Sequence, residues 1–163
     1  MTTDSVFQLC SLVAMPGWLA LIFVGRIKYV ASVVCKFVIP GLLAAFYLGI
    51  VVTHWAGHQG GFASVQDVQK LFGDPCLLVA GWIHYLAFDL FLGAWQVRDA
   101  QYSNVPHWWT IPCLILTFLF GPLGFCCTCC LKVCVPGRRP EEFLRNVLVG
   151  EEGMCRSTGR VGG

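Results

Sequence analysis

Residues 76–97 read CLLVAGWIHYLAFDLFLGAWQV. A helix that crosses a bilayer needs about 20 mainly apolar residues, and this stretch supplies them. Gly73-Asp74-Pro75 stands in front of it, an acidic cap followed by a proline at the first helical position. The midpoint falls between Leu86 and Ala87, so His84 and Asp89 straddle it, about 7.5 Å apart along the axis. Five residues turn a helix by about 140°, so the two do not share a narrow stripe. His84 shares its face with Phe88, Phe91 and Trp95. Asp89 shares its face with Trp82, Tyr85 and Gln96, and a Tyr85–Asp89 hydrogen bond is natural at i, i+4 spacing. Ionisable side chains at mid-bilayer cost about 2.5–3.5 kcal/mol on insertion scales and are read as functional candidates by default.

Working outward, three further stretches have the same character: residues 6–24, ending at Gly25-Arg26; 30–52, with Lys36 near the start; and 108–131, ending at Lys132. None shows the polar stripe that a soluble core helix carries at 3.6-residue spacing. The fold class expected is all-α: a polytopic membrane protein, a four-transmembrane-helix bundle with proline-kinked helices over 1–134, then a polar, flexible tail over 135–163. Pro16, Pro40 and Pro122 lie near the middle of three spans. Each removes a backbone donor and frees the carbonyl four residues back, here those of Leu12, Lys36 and Phe118. Between the second and third spans, Phe62, Val65, Val68 (or Gln69) and Phe72 recur at roughly helical spacing, which predicts a short interfacial helix. Trp55, Tyr102, Trp108 and Trp109 lie near span ends, as an aromatic belt requires. Four crossings would put both termini on one side. The Lys/Arg count between the sides is close to a tie, with a lean to termini inside because the basic tail follows the last span directly.

Composition agrees with this class. Charged residues make up 12% and hydrophobic residues 56%, against about 25% charged in a soluble domain. Disorder is excluded by the apolar content. A net charge of +2 with no basic stripe argues against nucleic-acid binding. Met1-Thr2-Thr3-Asp4 lacks the basic start of a signal peptide, so the first span is expected to be retained. Cys10, Cys35, Cys76 and Cys113 read as small buried apolar residues. The cluster Cys126-Cys127-Thr128-Cys129-Cys130 through Cys134 is open to three readings: membrane-filling thiols, palmitate acceptors, or a zinc or redox pair of C-x-x-C units. His54 and His58 have i, i+4 spacing but no third ligand. No metal site and no cofactor are expected.

The segment Trp82-Ile83-His84-x-Leu86-Ala87-x-Asp89-Leu90-Phe91, followed by Arg98-Asp99-Ala100, resembles the central signature of the plant "abscisic acid deficient" membrane family and its bacterial relatives. Supporting pieces occur in order: Met15-Pro16-Gly17-Trp18, Val105-Pro106-His107, Pro112-Cys113-Leu114 and Phe120-Gly121-Pro122-Leu123-Gly124. The resemblance covers roughly residues 6–131. It implies a four-helix membrane protein, in the plastid membrane for a plant or algal member and in the cell membrane for a bacterial one. For the plant branch it implies isomerisation of violaxanthin to neoxanthin, which opens an epoxide and removes a proton from the neighbouring polyene carbon to give an allene.

That chemistry needs an acid for the epoxide oxygen and a base for the carbon-bound proton, and no redox cofactor. The residues that match the family motif and could serve are His84, Asp89, Arg98, Asp99 and His107. Trp82, Tyr85, Phe88, Phe91 and Trp95 would hold the polyene. The expected partners are an apolar isoprenoid or carotenoid and membrane lipids. The alternative is a non-enzymatic pigment- or lipid-binding or assembly protein in which His84 and Asp89 fix helix packing.

Overall fold

The computed structural model describes residues 2–25, 27, 29–57, 60–103 and 105–134. Tail residues 135–163 lie outside this set, as do Arg26, Lys28 and His58. The described residues fold into helices without strands: α1 (Thr3–Val24), a π-helical run (Val30–Val38) continuing into α2 (Ile39–His54), α3 (Val65–Gly73), α4 (Pro75–Tyr102), α5 (His107–Phe120) and α6 (Pro122–Cys134). Three helical stretches, Thr3–Val24, Val30–Gly57 and Pro75–Tyr102, are long and apolar enough to cross a membrane.

α4 is the central helix. Asp74 caps it, its Oδ1 accepting from the backbone N–H of Cys76 at 2.7 Å and of Leu77 at 3.4 Å. Its inner positions feed two core clusters. Leu90, Ala94 and Val97 meet Trp18 and Leu21 of α1, Cys35 of the π-helical run and Leu114 of α5. Val79, Ile83, Leu86 and Ala87 meet Cys10, Ala14 and Leu43. Small residues set the spacing, as they do where helices pack closely: Leu90 packs on Gly17, and the Trp18 ring on Gly93. α1 and α4 run parallel, with Ser11 beside Trp82 near one end and the Gly25 carbonyl accepting from Gln101 Nε2 at the other. The short helix expected between the second and third stretches forms as α3. Ser64 caps it, and the ring of Phe72 lies against Gly81.

The fourth apolar stretch departs from expectation. A single helix over 108–131 does not form. The chain reverses at Gly121, and α5 and α6 lie antiparallel as a helical hairpin. Thr117 meets Gly124, and Cys113 Sγ meets Cys127 Sγ at 3.1 Å. In one straight helix residues 113 and 127 would be about 21 Å apart. The cause is local. Pro122 has no N–H and disfavours helical geometry in the residue before it. Gly121 takes φ 48°, ψ −90°, a region that an L side chain resists. Gly124 then lets the backbones touch, since a Cβ there would strike Thr117 and the Cys113 carbonyl. At about 21 and 20 Å, neither α5 nor α6 matches the ~30 Å hydrocarbon thickness of a bilayer.

The reversal changes the ends of the bundle. Thr3 lies by Cys76, at the start of α4. Lys132 of α6 pairs with Asp99, near the end of α4. The chain therefore enters at one end and leaves the described region at the other, where four crossings predict the same end. The prolines also differ from one another. α1 continues through Pro16, Pro40 follows directly on the π-helical run, and Pro122 opens α6 after the reversal.

Candidate functional site

The tip of the hairpin meets the middle of α4 at Asp89. A Cβ at position 121 would sit 3.0 Å from Asp89 Oδ1, so glycine is required there twice over, by its φ and by the carboxyl group it faces. The Oδ2 atom of Asp89 is buried with no hydrogen-bond partner. A buried carboxyl oxygen without a partner costs stability, and such a group calls for a functional explanation.

One turn earlier on α4, the Tyr85 hydroxyl donates to the Phe118 carbonyl at 2.9 Å. This is the carbonyl that Pro122 frees. The proline creates an unpaired acceptor at the end of α5, and Tyr85 satisfies it. The i, i+4 expectation had the Tyr85 proton going to Asp89. The hydroxyl binds the hairpin as well and keeps Asp89 as its side-chain hydrogen-bond neighbour one turn on.

Tyr85 also closes an apolar groove of about 500 Å³, whose walls include Phe7 of α1, Phe72 of α3, and Leu78, Gly81 and Trp82 of α4. Trp82 is fixed by its Nε1 donating to Ser11 Oγ at 3.2 Å and by the Phe7 ring at 5.3 Å. The groove thus runs from α3 up to Tyr85, with Asp89 one turn beyond, at the hairpin tip. Pockets that take apolar ligands have this form: mostly apolar walls and a few convergent polar groups.

The structure brings together only part of the set expected from sequence. Asp89, Tyr85 and Trp82 belong to this region. His84 does not: it is exposed on another face of α4, stacked on Phe88 at 4.5 Å and beside Tyr47 of α2 at 5.7 Å. Arg98 and Asp99 lie about 13.5 and 15 Å further along the axis. Arg98 bonds the Tyr102 hydroxyl, and Asp99 pairs with Lys132. His107 Nε2 bonds the Ile22 carbonyl at 2.8 Å. Phe91 neighbours Lys36, and Trp95 packs on Phe125. Sequence reading missed Phe7 and Phe72, which neither charge nor motif marks, and the Gly121 tip, whose Gly-Pro pair was in view but read as a kink.

Among the described residues no group of three His, Cys, Asp or Glu side chains could hold a metal ion. His58 falls outside them, and His54 bonds Thr53 Oγ1 at 2.8 Å. Of the thiol cluster, Cys126, Cys129, Cys130 and Cys134 are exposed along α6, while Cys127 faces Cys113.

The family model described as ABA DEFICIENT 4-like matches residues 5–127. No curated protein and no solved structure matches the chain. The chain belongs to the ABA DEFICIENT 4-like family.

Proposed function

From that family membership we propose that the chain is an integral membrane isomerase, which acts on an epoxycarotenoid or a similar apolar isoprenoid by proton transfer at Asp89 and Tyr85. Support for the membrane comes from the three long apolar helices and from the surface they present. Leu12, Phe23, Leu48, Val52, Phe88 and Leu119 are each more than half exposed, an apolar exterior that water does not tolerate over such an area. In this setting α5–α6 is a re-entrant hairpin whose broken backbone is tolerated because protein groups satisfy it, Tyr85 on Phe118 being one.

The observation that carries the chemistry is the Asp89 carboxyl, its Oδ2 buried, beside a tyrosine that lines an apolar groove. An apolar chain in the groove brings its end to Tyr85. In the reaction type that the resemblance implies, the Asp89 carboxylate takes the carbon-bound proton and the Tyr85 hydroxyl gives a proton to the epoxide oxygen as the C–O bond opens. The two groups lie one turn apart, so the proton on Asp89 returns to Tyr85 and the pair resets with no net change. The partner of Asp89 thus moves from His84, which faces elsewhere, to Tyr85.

Pigment analysis of a carotenoid-producing host that expresses the chain tests this. Asp89→Asn keeps the shape but cannot exchange a proton, and should cut turnover by about 10²–10⁴-fold while the folded protein accumulates normally. Tyr85→Phe should behave similarly. His84→Gln should stay within a few-fold of wild type. Full product formation by Asp89→Asn would leave the non-enzymatic pigment-binding reading, which uses the same groove without the carboxyl group.

A further inference from the structure

A second cleft, of about 190 Å³, lies about 13.5 Å further along α4 from Asp89. Its walls are Lys36, Trp95, Arg98, Asp99 and Tyr102. Its charge balance is uneven. Among the described residues Asp99 supplies the only carboxylate of its walls, and Lys132 of α6 already neutralises it. Among the described residues neither Lys36 nor Arg98 has a carboxylate partner.

Lys36 is the informative residue. It stands inside an apolar helical stretch, within a π-helical run, a form that recurs at functional sites. Its Nζ sits 5.2 Å from the Phe37 ring centre and 5.6 Å from that of Phe91, so aromatic faces are its neighbours where an anion would be worth more. A cation among apolar and aromatic walls is costly unless it is paired. Arg98 is held in place from below: its Nη2 donates to the Tyr102 hydroxyl at 3.2 Å, and its guanidinium lies 5.9 Å from the Tyr102 ring centre. That leaves the other guanidinium donors for an acceptor. A planar fork and an ammonium across one small cleft suit a tetrahedral oxyanion, and Trp95 and Phe91 offer apolar surface to whatever chain carries it.

We propose that this cleft binds a phosphate-type oxyanion, held between Lys36 and Arg98. The oxyanion reaches it either on an apolar chain, as the headgroup of an anionic lipid, or as a free phosphate compound from water. The site stands apart from Asp89 and rests on the membrane setting, not on the isomerase reading.

The test uses the full chain, purified in detergent and stripped of lipid. Phosphatidylglycerol and phosphatidylcholine are titrated separately and bound lipid is counted by native mass spectrometry. Inorganic pyrophosphate is titrated in parallel, with thermal stability as the readout. The expected result is preferential retention of phosphatidylglycerol, weakened by added salt and weakened roughly fivefold for each cation removed in Lys36→Gln and Arg98→Gln. Lys36→Arg should retain it. Stabilisation by pyrophosphate with the same sensitivity to the two substitutions would support the site and make a soluble phosphate its source. Equal binding of the two lipids by wild type together with no effect of pyrophosphate would overturn the proposal, whether or not the Gln variants fold. So would phosphatidylglycerol binding that both substitutions leave unchanged.

Discussion

Gly121 carries more of the architecture than any other single residue. Its φ of 48° reverses the chain, and its missing side chain admits the Asp89 carboxyl group. Gly121→Ala should destabilise the protein by at least the ~1–2 kcal/mol that a positive φ costs an L residue, with a further cost from displacing Asp89. Thermal unfolding followed by circular dichroism in detergent checks this, and an unchanged midpoint would contradict the reversal. At this scale much was legible in the sequence. The intramembrane-carboxylate rule marks Asp89, and counting four back from Pro122 marks the Phe118 carbonyl. The identity of its donor was not legible. Tyr85 and Phe118 are distant in sequence, and only the fold decides whether a tyrosine hydroxyl reaches a neighbouring helix besides its own. His84 was equally eligible by chemistry. The roughly 140° between it and Asp89 already separated their faces, and the packing of α2 and α5 then placed them in different surroundings.

At the scale of elements, the fourth apolar stretch is where sequence reading and structure part. Hydropathy measures how apolar a stretch is, and a hairpin buried in a bilayer is as apolar as a helix that crosses it. What separates the two is backbone geometry: Gly121-Pro122 for the reversal, and the Thr117–Gly124 contact for the closure. Asp74, by contrast, caps α4 and α3 forms, because both signals are local and act within one turn. The hairpin has a direct chemical test. In a variant retaining only Cys113 and Cys127, mild oxidation with copper phenanthroline should form an intramolecular disulfide readily, because the two sulfurs lie 3.1 Å apart. Protease cleavage at a site engineered between the two cysteines, followed by a non-reducing gel, would show the halves held together. Separation of the halves after oxidation would point to a single extended helix.

On the scale of the whole molecule, the hairpin leaves three helical stretches long and apolar enough to cross a membrane where the sequence predicts four. This also changes the charge count that sets orientation. Among the described basic residues, Arg98, Lys132 and Lys36, which shares a cleft with Arg98, lie toward the end where α4 and α6 finish, and Lys70 lies in α3 toward the other. If the three long stretches cross a bilayer, the positive-inside rule predicts that the end of the bundle holding Arg98 and Lys132 faces the cytoplasm. In that orientation Asp89 would sit at the inner limit of a hairpin entering from the cytoplasmic side, and the apolar groove beside α3 would open toward the opposite leaflet. The most direct test of this arrangement is the sidedness of small epitope tags placed at the two termini of the full chain, read by protease protection in sealed vesicles and again after permeabilisation. The arrangement described here requires one tag protected and the other digested, with the C-terminal tag on the cytoplasmic side. Both tags on the same side would mean that residues 108–131 cross the membrane, and would contradict the hairpin on which the Asp89 site depends.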